Sequence, residues 1–317
     1  MDPSGSRAPG GAAEVWPALP LAVTCSVMFQ YWFWYGVSSN LILPMICSHM
    51  CSVSSVSCHS ASGLTTGLIP DGDRAFQIDL DFIDHTLQIT TSDGVRRQMP
   101  LFACTVATFY ADLMASLAAL GIAVTINPIP VEVPHAIPCD TNEVHKDYDP
   151  EYVTRWWRIM LGTTRVMQRF SSRFAGKTSP PHFYWGSFDL SQTRHSGHPA
   201  TPPEGAPLFV RLSENEENAA CGFWPGNTAM SGLTYGEPAF YAYCYPAPDR
   251  YATGAIRPSA AYFDEQFGEF ILRYEDVRRA ADPEQAILDF FESAYEIAAD
   301  KAGWDRERLE FDPPARG

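Results

Sequence analysis

The residues Phe76-Gln-Ile78-Asp-Leu80-Asp-Phe82 alternate apolar and polar side chains at a strict period of two. Only an extended strand sorts such a pattern into one buried face and one carboxylate-lined outer face. Leu87 and Ile89 continue the alternation, and Asp93-Gly94 is the dipeptide of a tight hairpin turn, so 86–91 and 95–101 are expected side by side. This stretch commits the chain to antiparallel pairing with one face in need of cover.

Helical periodicities elsewhere supply that cover. Thr105 can cap a helix in which Val106, Phe109, Leu113, Leu117 and Leu120 recur at three and four, with Gly121 as the stop. The β-branched run 122–133 is expected as a further strand, confined to an edge or a bulge by Pro128 and Pro130. The longest helix opens at Asp149-Pro150-Glu151. Its Val153, Trp156, Met160, Met167, Phe170 and Phe174 fall on one side, and Arg155, Arg158, Arg165, Arg169 and Arg173 fall in an opposite arc. Asp282-Pro283 opens a third helix with Gln285 at the third position. Ile287, Phe290, Phe291, Ala294, Ile297 and Ala298 form its buried stripe, and Gly303 ends it.

Short aromatic-rich strands are expected at 182–190, 239–245 and 268–274, and an irregular surface excursion at 196–218. The fold class expected is α+β, a mixed or antiparallel sheet of short aromatic-rich strands packed with about three long helices. Residues 13–311 are expected as one domain between tails at 1–12 and 312–317. A chain of 317 residues can bury about three quarters of its unfolded surface, so no disulfide or metal staple is needed.

Charge narrows the partners. A net charge of -15 and an isoelectric point near 4.9 oppose binding of a polyanion, so nucleic acid is not an expected partner. The first residues carry no apolar core of a signal peptide, so a cytoplasmic chain with its eight cysteines as thiols is expected. From Val15 to Pro70 there is no Asp, Glu, Lys or Arg. Within that run, 27–46 approaches the length of a membrane span, but Gln30, Ser38-Ser39-Asn40 and Pro44 interrupt it and no basic flank orients it, so a membrane is not the expected partner. Cys47, His49, Cys51, Cys58 and His59 are zinc-type ligands whose spacing fits none of the common fingers.

The chemistry concentrates at His182-Phe-Tyr-Trp-Gly-Ser-Phe-Asp-Leu190, read as a central strand with both faces covered. A buried Asp189 there needs a cation or donors, and Arg194 and His195 are nearest in sequence. The site expected is an aromatic-lined pocket for a small molecule. Asp189, as acid/base or charge partner, and His182 are its catalytic candidates; Trp185, Ser187, Arg194, Trp224, Tyr243 and Arg257 are its ligand-binding candidates, with Tyr241 and Tyr245 as further walls. Gly222-Phe-Trp-Pro-Gly226 is expected as a loop that brings Trp224 over the strand. Ser187 lacks the G-x-S-x-G frame of a nucleophile elbow. His182, Asp189, His195, His198 and Glu217 match no familiar metal spacing, and the phosphate-cradle motifs are absent, so no metal or cofactor is expected. The competing expectation is a non-catalytic interaction module that uses the arginine face 155–173.

Seven short motifs occur in one order: Gly63-Leu-Thr-Thr66, Ile69-Pro-Asp-Gly-Asp-Arg74, Asp81-Phe-Ile-Asp-His85, Tyr148-Asp-Pro-Glu-Tyr152, His182-Phe-Tyr-Trp-Gly-Ser-Phe-Asp-Leu190, Gly222-Phe-Trp-Pro-Gly226 and Ala302-Gly-Trp-Asp305. In these, with Trp16-Pro-Ala-Leu-Pro20 before them, the chain resembles the bacterial domain of unknown function 5996. The resemblance carries over no reaction. It breaks at 23–62, where the family's charged helix and Asn-His-Trp-Trp strand are missing although the spacing from Trp16 to Gly63 is kept; this implies a compensated reading-frame error or a mistranslated stretch in that segment more than a new function.

Overall fold

The computed structural model describes residues 15–19, 56–129, 136–184, 188–206, 208–228 and 234–311. The charge-free segment expected to be atypical, and within it the 27–46 run and Cys47 to Cys51, therefore lies largely outside the described residues. Only its end, from Val56, is described.

The alternating stretch forms the hairpins its pattern demands. Strands β1 (Val56–His59), β2 (Gly63–Thr65), β3 (Ile69–Asp71), β4 (Arg74–Asp81), β5 (Thr86–Thr91) and β6 (Arg96–Pro100) come first. Phe76, Ile78 and Leu80 of β4 and Leu87 and Ile89 of β5 are all buried. Helix α1 (Val106–Ala119) follows, with the Thr105 side chain accepting from the Thr108 amide and Gly121 in the left-handed region. Arg74 donates to the Leu120 carbonyl at 2.8 Å, which ties the carbonyl end of α1 to the sheet.

Residues 122–129 are not a strand. They run as irregular chain in which the Asn127 side chain accepts from Ile129 N, and 130–133 lie outside the described residues. Pro128 removes a ladder donor, and its carbonyl accepts from Cys139 N at 2.8 Å, a bond to the following loop and not to a strand.

Helix α2 (Pro150–Ser171) starts at Asp149 as expected, with Pro150 in its first turn. It buries more than one stripe: Trp157, Ile159, Thr163 and Thr164 are buried along with Val153, Trp156, Met160, Met167 and Phe170. The helix passes beneath both halves of the sheet. Trp156 meets Phe82 after β4 at 6.0 Å and Phe183 at 5.5 Å between ring centroids. Trp16 packs against Gly162 so closely that a Cβ there would lie 2.9 Å from its ring.

The remaining strands are β7 (His182–Tyr184), β8 (Asp189–Pro199), β9 (Glu216–Trp224), β10 (Asn227–Thr228), β11 (Thr234–Tyr235), β12 (Ala239–Tyr245), β13 (Tyr262–Asp264) and β14 (Glu269–Arg273). Helices α3 (Leu208–Ser213), α4 (Tyr274–Arg278), α5 (Pro283–Ala302) and α6 (Arg306–Leu309), with two 3-10 turns at Cys139–Thr141 and Tyr251–Thr253, complete the described elements. The stretch 196–218 is thus more ordered than an irregular excursion.

The strand expected at 182–190 is a hairpin. His182 pairs Ser191, Phe183 pairs Leu190 and Tyr184 pairs Asp189, and the turn closes through Phe188 at φ 60°. The aromatic density that suggests a continuous strand is the packing of two short ones. The main sheet runs β13-β14-β12-β9-β8-β7-β1-β2-β4-β5-β6, with β3 on β4, and all its pairings are antiparallel. Strand β1 is the seam between the two halves. Helices α2 and α5 cover one face of the second half, where Leu190, Phe223, Phe240, Phe270 and Leu272 are buried against Phe170, Phe290 and Phe291. The architecture is α+β.

Candidate functional site

The site lies on the other face of the second half, turned away from α2 and α5. Strand alternation sends Asp189 and Ser191 of β8, Tyr184 and His182 of β7, Gly222 and Trp224 of β9, Tyr241 and Tyr243 of β12, and Glu269 of β14 to this face. Register then decides what meets. Gly222 is the Cα partner of both Ser191 and Tyr241. With no side chain at Gly222, the Tyr241 ring lies across β9, where a Cβ would be 2.3 Å from its Cζ. The Tyr241 hydroxyl thereby reaches two strands over and donates to Asp189 Oδ2. Asp189 is only 8% exposed.

Tyr243 stacks on Tyr241 with centroids 6.2 Å apart and planes at 15°. Burial, and after it the Asp189 charge, holds the Tyr241 phenol well above the usual range. Burial, with the charges of Glu214 and Glu269, does the same to Tyr243. Both phenols therefore stay protonated donors. Burial, with the Asp189 and Asp264 charges added, pushes the Glu269 carboxyl up to about 7. Among the described residues Glu269 has neither a cation nor a hydrogen-bond donor. Glu214 is also pushed up by burial, offset by Asn218, whose side-chain nitrogen donates to it at 2.8 Å.

One end of the face is walled by a small aromatic cluster. Trp224 and Tyr235 pack against Phe267 at 6.2 and 5.9 Å, beside Ala239 and Ile271, and Tyr235 and Tyr262 share a hydroxyl contact at 3.0 Å. The Trp224 indole nitrogen is buried there with no acceptor among the described residues.

Of the candidate residues, the structure brings together Asp189, His182, Trp224 and Tyr243. Trp224 belongs to strand β9, so only Pro225 and Gly226 of its motif turn away from the sheet. Trp185 and Ser187 fall in 185–187, outside the described residues. Arg194 is not with Asp189: five residues along β8 it points to the helix face, 1% exposed. There its guanidinium sits 3.3 Å from the Phe170 ring centroid and 4.3 Å from that of Tyr295, pairs with Glu292 of α5 at 3.4 Å, and donates to the Phe170 carbonyl in the last turn of α2. It anchors a helix end. Arg257 is also elsewhere, bonded to Glu296 at 2.9 Å on α5, with its backbone N–H donating to Ser293.

Among the described residues no group of three His, Cys, Asp or Glu side chains is arranged to hold a metal ion. His198 contacts Glu217 at 3.3 Å and His195 lies 3.9 Å from Glu216, in separate pairs. Cys104, Cys139, Cys221 and Cys244 are free thiols, and no described helix is long and apolar enough to cross a membrane. On the arginine face, Arg155 pairs Glu151, while Arg165 and Arg169 converge on Glu284 in the first turn of α5. Ser191 and Glu269 were the members hardest to foresee. The outward alternation of Glu269, Ile271 and Arg273 is a signal for Glu269; for Ser191 only the register with Gly222 reveals it.

An antiparallel sheet covered by helices on one face, with tyrosines and carboxyls gathered on the other, defines an α+β protein whose candidate chemistry is that of a carboxyl- and phenol-lined, aromatic-walled surface. The model of the family of unknown function DUF5996 matches residues 16–311, and the chain belongs to that family. Searches of the curated proteins and of the solved structures find no match.

Proposed function

We propose that the face built by Asp189, Tyr241, Tyr243, Trp224 and Glu269 binds a small molecule, with Asp189 as its acid/base or charge partner and His182 at its rim. One observation carries this: on the face of the Tyr241–Asp189 pair stand a buried indole N–H with no acceptor and a half-buried carboxyl with no donor among the described residues. Buried polar groups in folded proteins have partners, and groups left open on one face are where a ligand completes the set. A carboxyl that holds its proton near neutrality, beside a second carboxyl tied to a phenol, also suits proton transfer to a bound substrate.

The test is a thermal-shift panel of small amines, alcohols, polyols and carboxylic acids, run on the native chain and on Asp189→Asn. At least one class is expected to raise the melting temperature of the native protein and to lose that shift in the variant. No shift from any class, or a shift that survives Asp189→Asn unchanged, overturns the proposal. A docking role for the arginine face has less support, since three of its cations are tied to glutamates of the same chain.

A further inference from the structure

We propose that the ligand of this face is a small organic cation, an ammonium or guanidinium held between the carboxyls of Asp189 and Glu269 and against the ring faces of Tyr241 and Tyr243. The proposal rests on the ligand-site proposal above and specifies its chemistry. The local charge is one-sided. Among the described residues, Arg273 on the same strand face is paired with Asp276 at 2.8 Å, Lys177 is paired with Glu216 at 3.1 Å, and Arg194 is paired with Glu292 across the sheet. Glu269 pairs in register with Asp264 of β13, acts through its charge on Tyr243 of β12, and feels the charges of Asp264 and Asp189, and none of these supplies positive charge.

An anionic ligand would meet Asp189, Glu269 and Glu214 together. A neutral one would leave their repulsion in place. A cation relieves it, and electron-rich ring faces attract the same charge. The net charge of -15 favours the approach of cations over anions at longer range. A cation beside Glu269 also favours its ionised form, so binding below about pH 7 expels a proton.

Benzylamine and its uncharged counterpart benzyl alcohol are suitable probes, titrated calorimetrically into the full chain in two buffers of different ionisation enthalpy. Benzylamine is expected to bind at least about tenfold more tightly, to release protons at mildly acidic pH, and to lose about tenfold in affinity in Glu269→Gln while benzyl alcohol is unaffected. Equal affinity for the two probes, or an amine affinity unchanged in Glu269→Gln, overturns the cation assignment. If both probes then still lose binding in Asp189→Asn, the ligand site stands and only its charge preference fails. If neither probe binds and no class in the thermal panel shifts the melt, both proposals fall.

Discussion

A Cβ at Gly222 would sit 2.3 Å from Cζ of Tyr241, closer than any real Cβ contact, so the ring position depends on that one missing side chain. Gly222→Ala is expected to push Tyr241 off β9 and break its bond to Asp189, at a cost of about 1–3 kcal/mol in urea unfolding. It should also abolish any ligand-induced shift. An unchanged unfolding midpoint would mean that the ring finds another seat and that its contact with Asp189 is incidental. Asp189 itself was legible as a buried carboxylate in need of donors. Its donor was not, because Tyr241 lies 52 residues away in sequence, while Arg194, the nearest cation in the chain, is turned to the opposite face by strand alternation.

At the scale of elements, local grammar is reliable where the partners are local. Thr105, Asp149 and Asp282 each cap the helix that follows, through bonds to amides two or three residues on. Asp282→Ala removes the acceptor for the Gln285 amide and is expected to cost about 1 kcal/mol in chemical denaturation, without altering ligand binding. The Gln285 side chain does not close a capping box; it donates to Asp289 at 2.7 Å one turn on. Elements whose identity depends on distant pairing are not legible from local composition. Residues 182–190 have the composition of one strand and fold as two, and 122–129 have the composition of a strand and run as irregular chain.

Across the whole molecule, the acidic balance acts through the groups the fold encloses. Glu269 titrates near 4.5 when exposed and is pushed up to about 7 in the folded protein, so the folded state holds this proton more tightly than the unfolded chain. Its contribution to stability is full below about pH 4.5, declines as pH rises to about 7 and is constant above. Glu269→Gln should match the native chain at the acid end and become the more stable of the two through that interval, a difference read from unfolding midpoints across pH. A constant offset at every pH would mean that the carboxyl is not enclosed as described.

The sequence by itself determined the α+β class, the hairpins of the first half and the caps and buried stripes of the three long helices. These rest on side-chain periods and on hydrogen bonds between residues a few positions apart. Only the tertiary structure decided which face each candidate joined. It carried Arg194 and Arg257 to the helices, set Asp189 against Tyr241, and gathered Glu269 and Trp224 around them. Those placements follow from strand order and register, which bring together residues from β8, β9, β12 and β14 that no local pattern links.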